Sequence, residues 1–132
     1  YIQLAQPVKA RFVKLTNVHT PGDGVFAVRD LRVFGSGLGT VPQEADGLIV
    51  NRDPGDRRTA KITWKKSQDA TGYVVRYGIS PGKLYTQYQV MGKTELEINS
   101  LNRDVTYYFA IDAFNENGYT KGRHVIESSS KE

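Results

Sequence analysis

The sequence predicts an all-β protein: a seven-stranded antiparallel sandwich, preceded by extra strands from a second, incomplete β-sandwich module. Three observations predict it. Strand formers and turn formers are abundant, with 8 Tyr and 13 Gly among 132 residues, whereas Met and Trp occur once each. No window sustains the period of an amphipathic helix. From residue 47 onward, short runs of alternating apolar and polar residues recur between Gly, Pro, Asn and Asp turns.

Residues 1–38 contain three strand candidates, "YIQL", "ARFVKLTNV" and "FAVRDLRVFG". Three strands cut from a larger sandwich leave an open edge and an uncovered apolar face, so they are expected to pack on the sandwich C-terminal to them or to be partly disordered. The chain opens at Tyr1 inside a strand pattern, which reads as a fragment of a longer protein. "GSGLGTVPQEADG" (35–47) is the clearest boundary, and residues 39–46 are assigned as a linker. Residues 47–128 form the sandwich, and 129–132 a polar tail.

Within the sandwich, "GLIVNR" (47–52) is the first strand. "TAKITWKK" (59–66) puts Ala60, Ile62 and Trp64 on one face and Lys61, Thr63 and Lys65 on the other. "YVVRYG" (73–78) aligns Tyr73, Val75 and Tyr77, and a Pro-Gly turn leads to "LYTQYQV" (84–90). "TELEIN" (94–99) alternates Thr94, Leu96 and Ile98 against Glu95, Glu97 and Asn99. In "VTYYFAIDAFN" (105–115), Tyr107, Phe109, Ile111 and Ala113 make an uncharged core face, leaving Tyr108, Ala110, Asp112 and Phe114 outward. The last strand, "YTKGRHVIE" (119–127), is read with Val125 pointing inward. Leu101 precedes Tyr107 across the polar turn "NRD", so the leucine can plug the core while the tyrosine hydroxyl bonds back to the turn, a tyrosine corner.

Trp64, "GYVVRYG", and the run from Leu101 through Tyr107 to "NENG" resemble a fibronectin type III domain over residues 44–128. The resemblance implies an immunoglobulin-like sandwich with structural core anchors at Trp64, Tyr73, Leu101 and Tyr107. It implies a sheet of 47–52, 59–66 and 94–99, and another of 73–78, 84–90, 105–114 and 119–127. The Arg-Gly-Asp tripeptide that binds integrins in that family is absent, and the two "NRD" triplets do not replace it. Residues 1–38 resemble the C-terminal end of a discoidin-like (coagulation factor V/VIII type C) module. "NVHTPGDGVFAVRDLRVFG" (17–35) is similar to the tail preceding a fibronectin type III domain in bacterial family 43 glycoside hydrolases of the xylosidase/arabinosidase type. That parent would carry its catalytic domain upstream of Tyr1 and be secreted, periplasmic or on the cell surface.

Charge and motifs narrow the function. The net charge of +4 is mild, and its excess lies before residue 44. Arg57, Arg58, Lys61, Lys65 and Lys66 read as a solvated outer strand face, not a nucleic-acid stripe. No apolar run is long enough for a membrane helix. The chain contains no Cys, which excludes disulfides, thiolate metal sites and Cys nucleophiles. Glu95 and Glu97 share a strand face, but it is the solvent face, with no apolar pocket to make one of them an acid. His19, in the loop "NVHTPGDG" with Asp23, and His124 lack partners at ligand spacing. No nucleophile or phosphate-loop motif occurs. The expectation is therefore no catalytic, cofactor or metal residues in this stretch.

The aromatics outside the core alternation, Tyr85, Tyr108, Phe114 and Tyr119, are the candidate surface. An exposed Tyr offers a sugar an apolar ring face and a polar edge. It can equally pair across strands, or pack on a neighbouring module. The favoured function is a non-catalytic spacer that orients modules of the same polypeptide by interdomain packing. The alternatives are a module binding plant cell-wall polysaccharide, or one for protein adhesion.

Overall fold

A computed structural model describes residues 35–128 continuously and, before them, residues 4–6, 8–10, 12–16, 22, 24, 31 and 33. The chain divides into two compact units, Tyr1–Gly35 and Ser36–Glu132. Among the described residues of the first unit, none lies in a strand. Residues 12–16 are not in a strand, although their side chains favour one. Residues 1–3, 11, 17–18, 26–30, 32 and 34 of the three N-terminal strand readings, and His19, Asp23 and the tail 129–132, lie outside the described residues.

Among its described residues the second unit has eight strands: β1 (Ile49–Arg52), β2 (Ala60–Thr63), β3 (Gly72–Gly78), β4 (Thr86–Met91), β5 (Glu95–Ile98), β6 (Tyr107–Asn115), β7 (Gly118–Thr120) and β8 (Ile126–Ser128). One sheet runs β1-β2-β5 and the other β4-β3-β6-β7, with β8 also paired to β6. Every pairing is antiparallel. This is the sheet division the family resemblance implied, with the last strand broken in two. Val125 falls in that break and is 40% exposed; the inward position next to it belongs to Ile126, opposite Phe109. The shift follows from the close approach at Gly122, where a Cβ would lie 2.0 Å from the Ile111 carbonyl oxygen. A strand cannot run through that point in regular pairing, so the phase of "YTKGRHVIE" changes across it.

Between the sheets lies a single apolar core. Phe109, Ile62, Ile98 and Val75 are its largest fully buried hydrophobic side chains. Trp64 meets Tyr73 edge-on at 5.4 Å, and Tyr77 stacks on Phe109 at 5.5 Å. The Tyr73 hydroxyl accepts a 2.8 Å hydrogen bond from the Ser67 amide. The tyrosine corner forms as expected: Leu101 is buried, and the Asn102 amide donates to the Tyr107 hydroxyl at 3.2 Å. Arg52 reinforces that end. Its guanidinium sits 5.6 Å from the Tyr107 ring centre and donates to the carbonyls of Arg57, Asn102 and Val105. Two loops are thereby tied to β1.

Residues 36–46, which include the segment 39–46 assigned as a linker, are docked on the sandwich. The β6–β7 hairpin holds this arm: the Gly37 amide donates to the Asn117 carbonyl and the Gly39 amide to Asn117 Oδ1, at 2.9 and 3.0 Å. Asn115 and Asn117 donate their side-chain amides to the Thr40 carbonyl. Pro42 and Ala45 are buried, and Glu44 Oε2 accepts from both Nε and Nη2 of Arg123 while its Oε1 accepts from the Arg123 amide. Composition marks a boundary here, but tertiary hydrogen bonds take up backbone groups of Gly37, Gly39, Thr40 and Gln43.

Candidate interaction surfaces

The four candidate aromatics fall into two groups at opposite ends of the larger sheet. Tyr108 stands opposite Gly78 at the start of β6, and Tyr85 lies just ahead of β4, close to the same end. Phe114, at the far end of β6, is the register partner of both Gly72 and Tyr119. Six residues of extended chain separate Tyr108 from Phe114, roughly 20 Å. The aromatics therefore form two small patches, and no single flat platform includes all four.

The patches differ in cover. Tyr85 and Tyr119 are 79% and 61% exposed, whereas Tyr108 and Phe114 are partly buried. The Phe114 ring crosses the space above Gly72 and approaches Met91: a Cβ on Gly72 would lie 2.4 Å from Phe114 Cζ and 2.8 Å from Met91 Sδ. Glycine at 72 lets the ring lie flat on the sheet, so part of Phe114 is explained by packing within the domain.

Between the two patches, the outward face of β6 holds something the alternation did not anticipate. Ala110 and Asp112 are buried although they point away from the core. Arg76 grips Asp112 through two bonds, Nε to Oδ2 at 2.7 Å and Nη2 to Oδ1 at 2.8 Å. Arg76 also donates to the Gly122 carbonyl at 3.2 Å, while the Gly122 amide donates to Asp112 Oδ1 at 2.8 Å. This closed network joins β3, β6 and the break between β7 and β8. The sequence carries a signal for it: a lone aspartate in the apolar run "YYFAIDAF" and a lone arginine in "YVVRYG". A buried charge implies a partner.

The carboxylates weighed for chemistry line an open groove between β4 and β5 that encloses neither of them. Glu95 and Glu97 are exposed on β5. The register sets Lys61 opposite Glu97, and its ammonium lies 3.7 Å from Glu95. Such a pair contributes little to stability. Of the basic run, only Lys61 sits on a strand; Arg57 and Arg58 belong to the turn before β2, where Asp56 holds Arg58 at 2.9 Å, and Lys65 and Lys66 follow the strand. Arg58 lies beside Asp56, whose carboxyl it holds below the usual range, chiefly through their side-chain hydrogen bond. Among the described residues, no three His, Asp or Glu cluster as metal ligands, and no helix is long and apolar enough to cross a membrane.

The topology, the tyrosine corner and the Trp64 anchor define a fibronectin type III fold. No family model matches the chain, and no curated protein does. Solved structures do. The chain is similar to FN3tt, with 27% identity and a TM-score of 0.61, over 68% of this chain and 95% of that one. It is similar to a Fn3-like protein from Clostridium thermocellum, at 21% identity and TM-score 0.60, over 67% of this chain and 92% of that one. It also resembles the sixth fibronectin type III domain of human fibronectin type III domain containing protein 3, at 21% identity and TM-score 0.58, over 72% of this chain and 91% of that one.

Proposed function

We propose that the chain is a non-catalytic accessory module whose work is geometric. It holds neighbouring modules of one polypeptide at a set distance and orientation. The parent enzyme is a bacterial glycoside hydrolase of the xylosidase/arabinosidase type, secreted, periplasmic or held at the cell surface. The observation that carries the spacer reading is the docked arm. A free Gly-rich segment of ten or so residues would wander over roughly 18 Å. Residues 36–46 are instead bonded to the β6–β7 hairpin, to Glu44's partner Arg123 and to the turn after β2, where the Gln43 amide donates to the Gln68 carbonyl at 3.1 Å. A segment held in this way transmits orientation. The parent reading is supported by the likeness of residues 17–35 to the tail that precedes such domains.

Amide heteronuclear NOEs of the intact chain test the spacer. Gly37, Gly39 and Gln43 are expected to match strand residues; values typical of a free linker would overturn it. Titration with xylan and arabinan oligosaccharides is expected to leave the amide spectrum unchanged. Localised shifts at Tyr85 or Tyr108 would replace the spacer with a carbohydrate-binding module. The coding sequence upstream of Tyr1 tests the parent, for which a family 43 catalytic domain is expected.

A further inference from the structure

The edges of the two sheets are not protected alike. β5 carries Glu95 and Glu97, and β1 is four residues long and ends in Arg52. The β7–β8 side is interrupted at Gly122 amid Lys121, Arg123 and His124. Charge, shortness and interruption are the usual defences of an exposed edge. β4 has none of them. It is the terminal strand of its sheet, and the nine residues from Leu84 to Gly92, "LYTQYQVMG", contain no charge and no proline. Among the described residues, β4 pairs only with β3.

The free groups on that edge can be named. The register pairs Gly72 with Met91 and Tyr73 with Val90, and the Gly92 amide donates to the Thr71 carbonyl at 3.3 Å. In an antiparallel ladder the direction of the backbone groups alternates. Thr86, Tyr88 and Val90 therefore bond to β3, and Gln87, Gln89 and Met91 aim their N–H and C=O groups outward. Beside this edge, between β4 and β5, runs an open groove of about 550 Å³. Val90, Leu96 and Met91 line it, with Lys61, Lys93, Glu95 and Glu97 also on its walls.

We propose that β4 is a self-association edge: two copies of this chain pair their β4 strands antiparallel about a two-fold axis at Gln89. What the edge lacks is another extended strand, and three features select a second copy. The strand is uncharged, so like strands meet without repulsion. The groove walls carry two ammonium groups and two carboxylates, a set that complements itself under a two-fold, acid to base. The register is also set by the ladder. Centred on Gln89, the pairing sets the outward-bonding residues of β4 against each other, Gln87 opposite the partner's Met91 and Gln89 opposite the partner's Gln89. Centred on Tyr88, it would leave Met91 opposite the partner's Tyr85, outside the strand. A six-residue ladder with its flanking side chains buries less than a stable dimer needs, so the association is weak, with Kd roughly 0.1–1 mM.

Sedimentation velocity and concentration-dependent amide shifts on the full chain test this. The wild type is expected to self-associate, with shifts centred on Gln87, Gln89 and Met91. Gln89→Lys, which sets two ammonium groups face to face, and Gln89→Pro, which deletes an outward N–H that β3 does not use, are each expected to weaken association by tenfold or more while leaving the melting curve nearly unchanged. Because the chain has no Cys, Gln89→Cys also reports the register: it is expected to form an intermolecular disulfide faster than Gln87→Cys. A chain that stays monomeric at 1 mM would overturn the proposal. So would self-association that Gln89→Lys leaves intact, or faster crosslinking at position 87.

Discussion

Along β6, inward Tyr107, Phe109, Ile111 and Ala113 and outward Ala110 and Asp112 are all buried, but different chemistry holds the two sides. The inward side excludes water by apolar area and ring packing, with Phe109 fully enclosed and Tyr77 and Tyr107 against it. The outward side is closed by a charge network in which Asp112 and Arg76 expose only 11% and 15% of their side chains. Apolar burial is non-directional and tolerates repacking. A buried ion pair depends on both partners and their hydrogen bonds, and removing one leaves the other stranded. The inward side should therefore degrade in proportion to volume lost, and the outward side all at once.

The largest effects test that contrast. Trp64→Ala is expected to cost roughly 3–5 kcal/mol, as truncation of a buried aromatic does. Asp112→Ala is expected to cost about as much, roughly 3–5 kcal/mol, for the different reason that Arg76 is left without its partner. Urea unfolding measures both. The discriminating variant is Arg76→Met combined with Asp112→Leu, which removes the charges together and is expected to recover more than half of the Asp112→Ala loss. A double variant as unstable as the single one would mean the outward side is held by shape as much as by charge.

Smaller changes sharpen the same comparison. Gly122→Ala forces a Cβ against the Ile111 carbonyl, and is expected to cost about 1–3 kcal/mol by displacing the backbone that caps Asp112. Tyr107→Phe keeps the ring in the inward core and removes only the bond from the Asn102 amide, so a loss near 1 kcal/mol is expected from its melting curve. The smallest effect is pH-dependent and local to the arm. Hydrogen bonds from Arg123 hold the Glu44 carboxyl below its ordinary 4.5. Because the folded value is the lower one, the pair's contribution is complete above 4.5 and fades as pH falls through the lowered value. The Arg123 amide resonance is expected to shift in that acid window, and Glu44→Gln to abolish the shift.

How much of the fold and its surfaces is legible in the sequence differs residue by residue. The strands from residue 47 onward, the core face of β6 and the inward places of Trp64, Tyr73 and Tyr107 follow from period-two alternation, because a strand with one buried face must place its apolar residues two apart; Leu101, in the connection before β6, follows from its spacing to Tyr107 and from the family resemblance. Alternation records only which side is apolar. It is silent on an outward face buried by polar pairing, so the pairing of Asp112 with Arg76 leaves no mark in it. The break at Gly122 shifts the phase of the last strand, which is why alternation points to Val125 for a place that Ile126 holds. Tyr85, Tyr108, Phe114 and Tyr119 are recognisable as off the core pattern. Their division between two ends of the sheet requires the strand register.

The sequence by itself determined the fold class and the apolar core, since these depend on local preference and on which residues must leave water; the division of the strands between two sheets was implied by the family resemblance. Only the tertiary structure decided that residues 36–46 are an arm bonded to Asn115, Asn117 and Arg123, that β4 is the uncharged edge, and that one face of β6 is closed by an ion pair. Each of these depends on groups far apart in the chain, whose meeting no local pattern encodes.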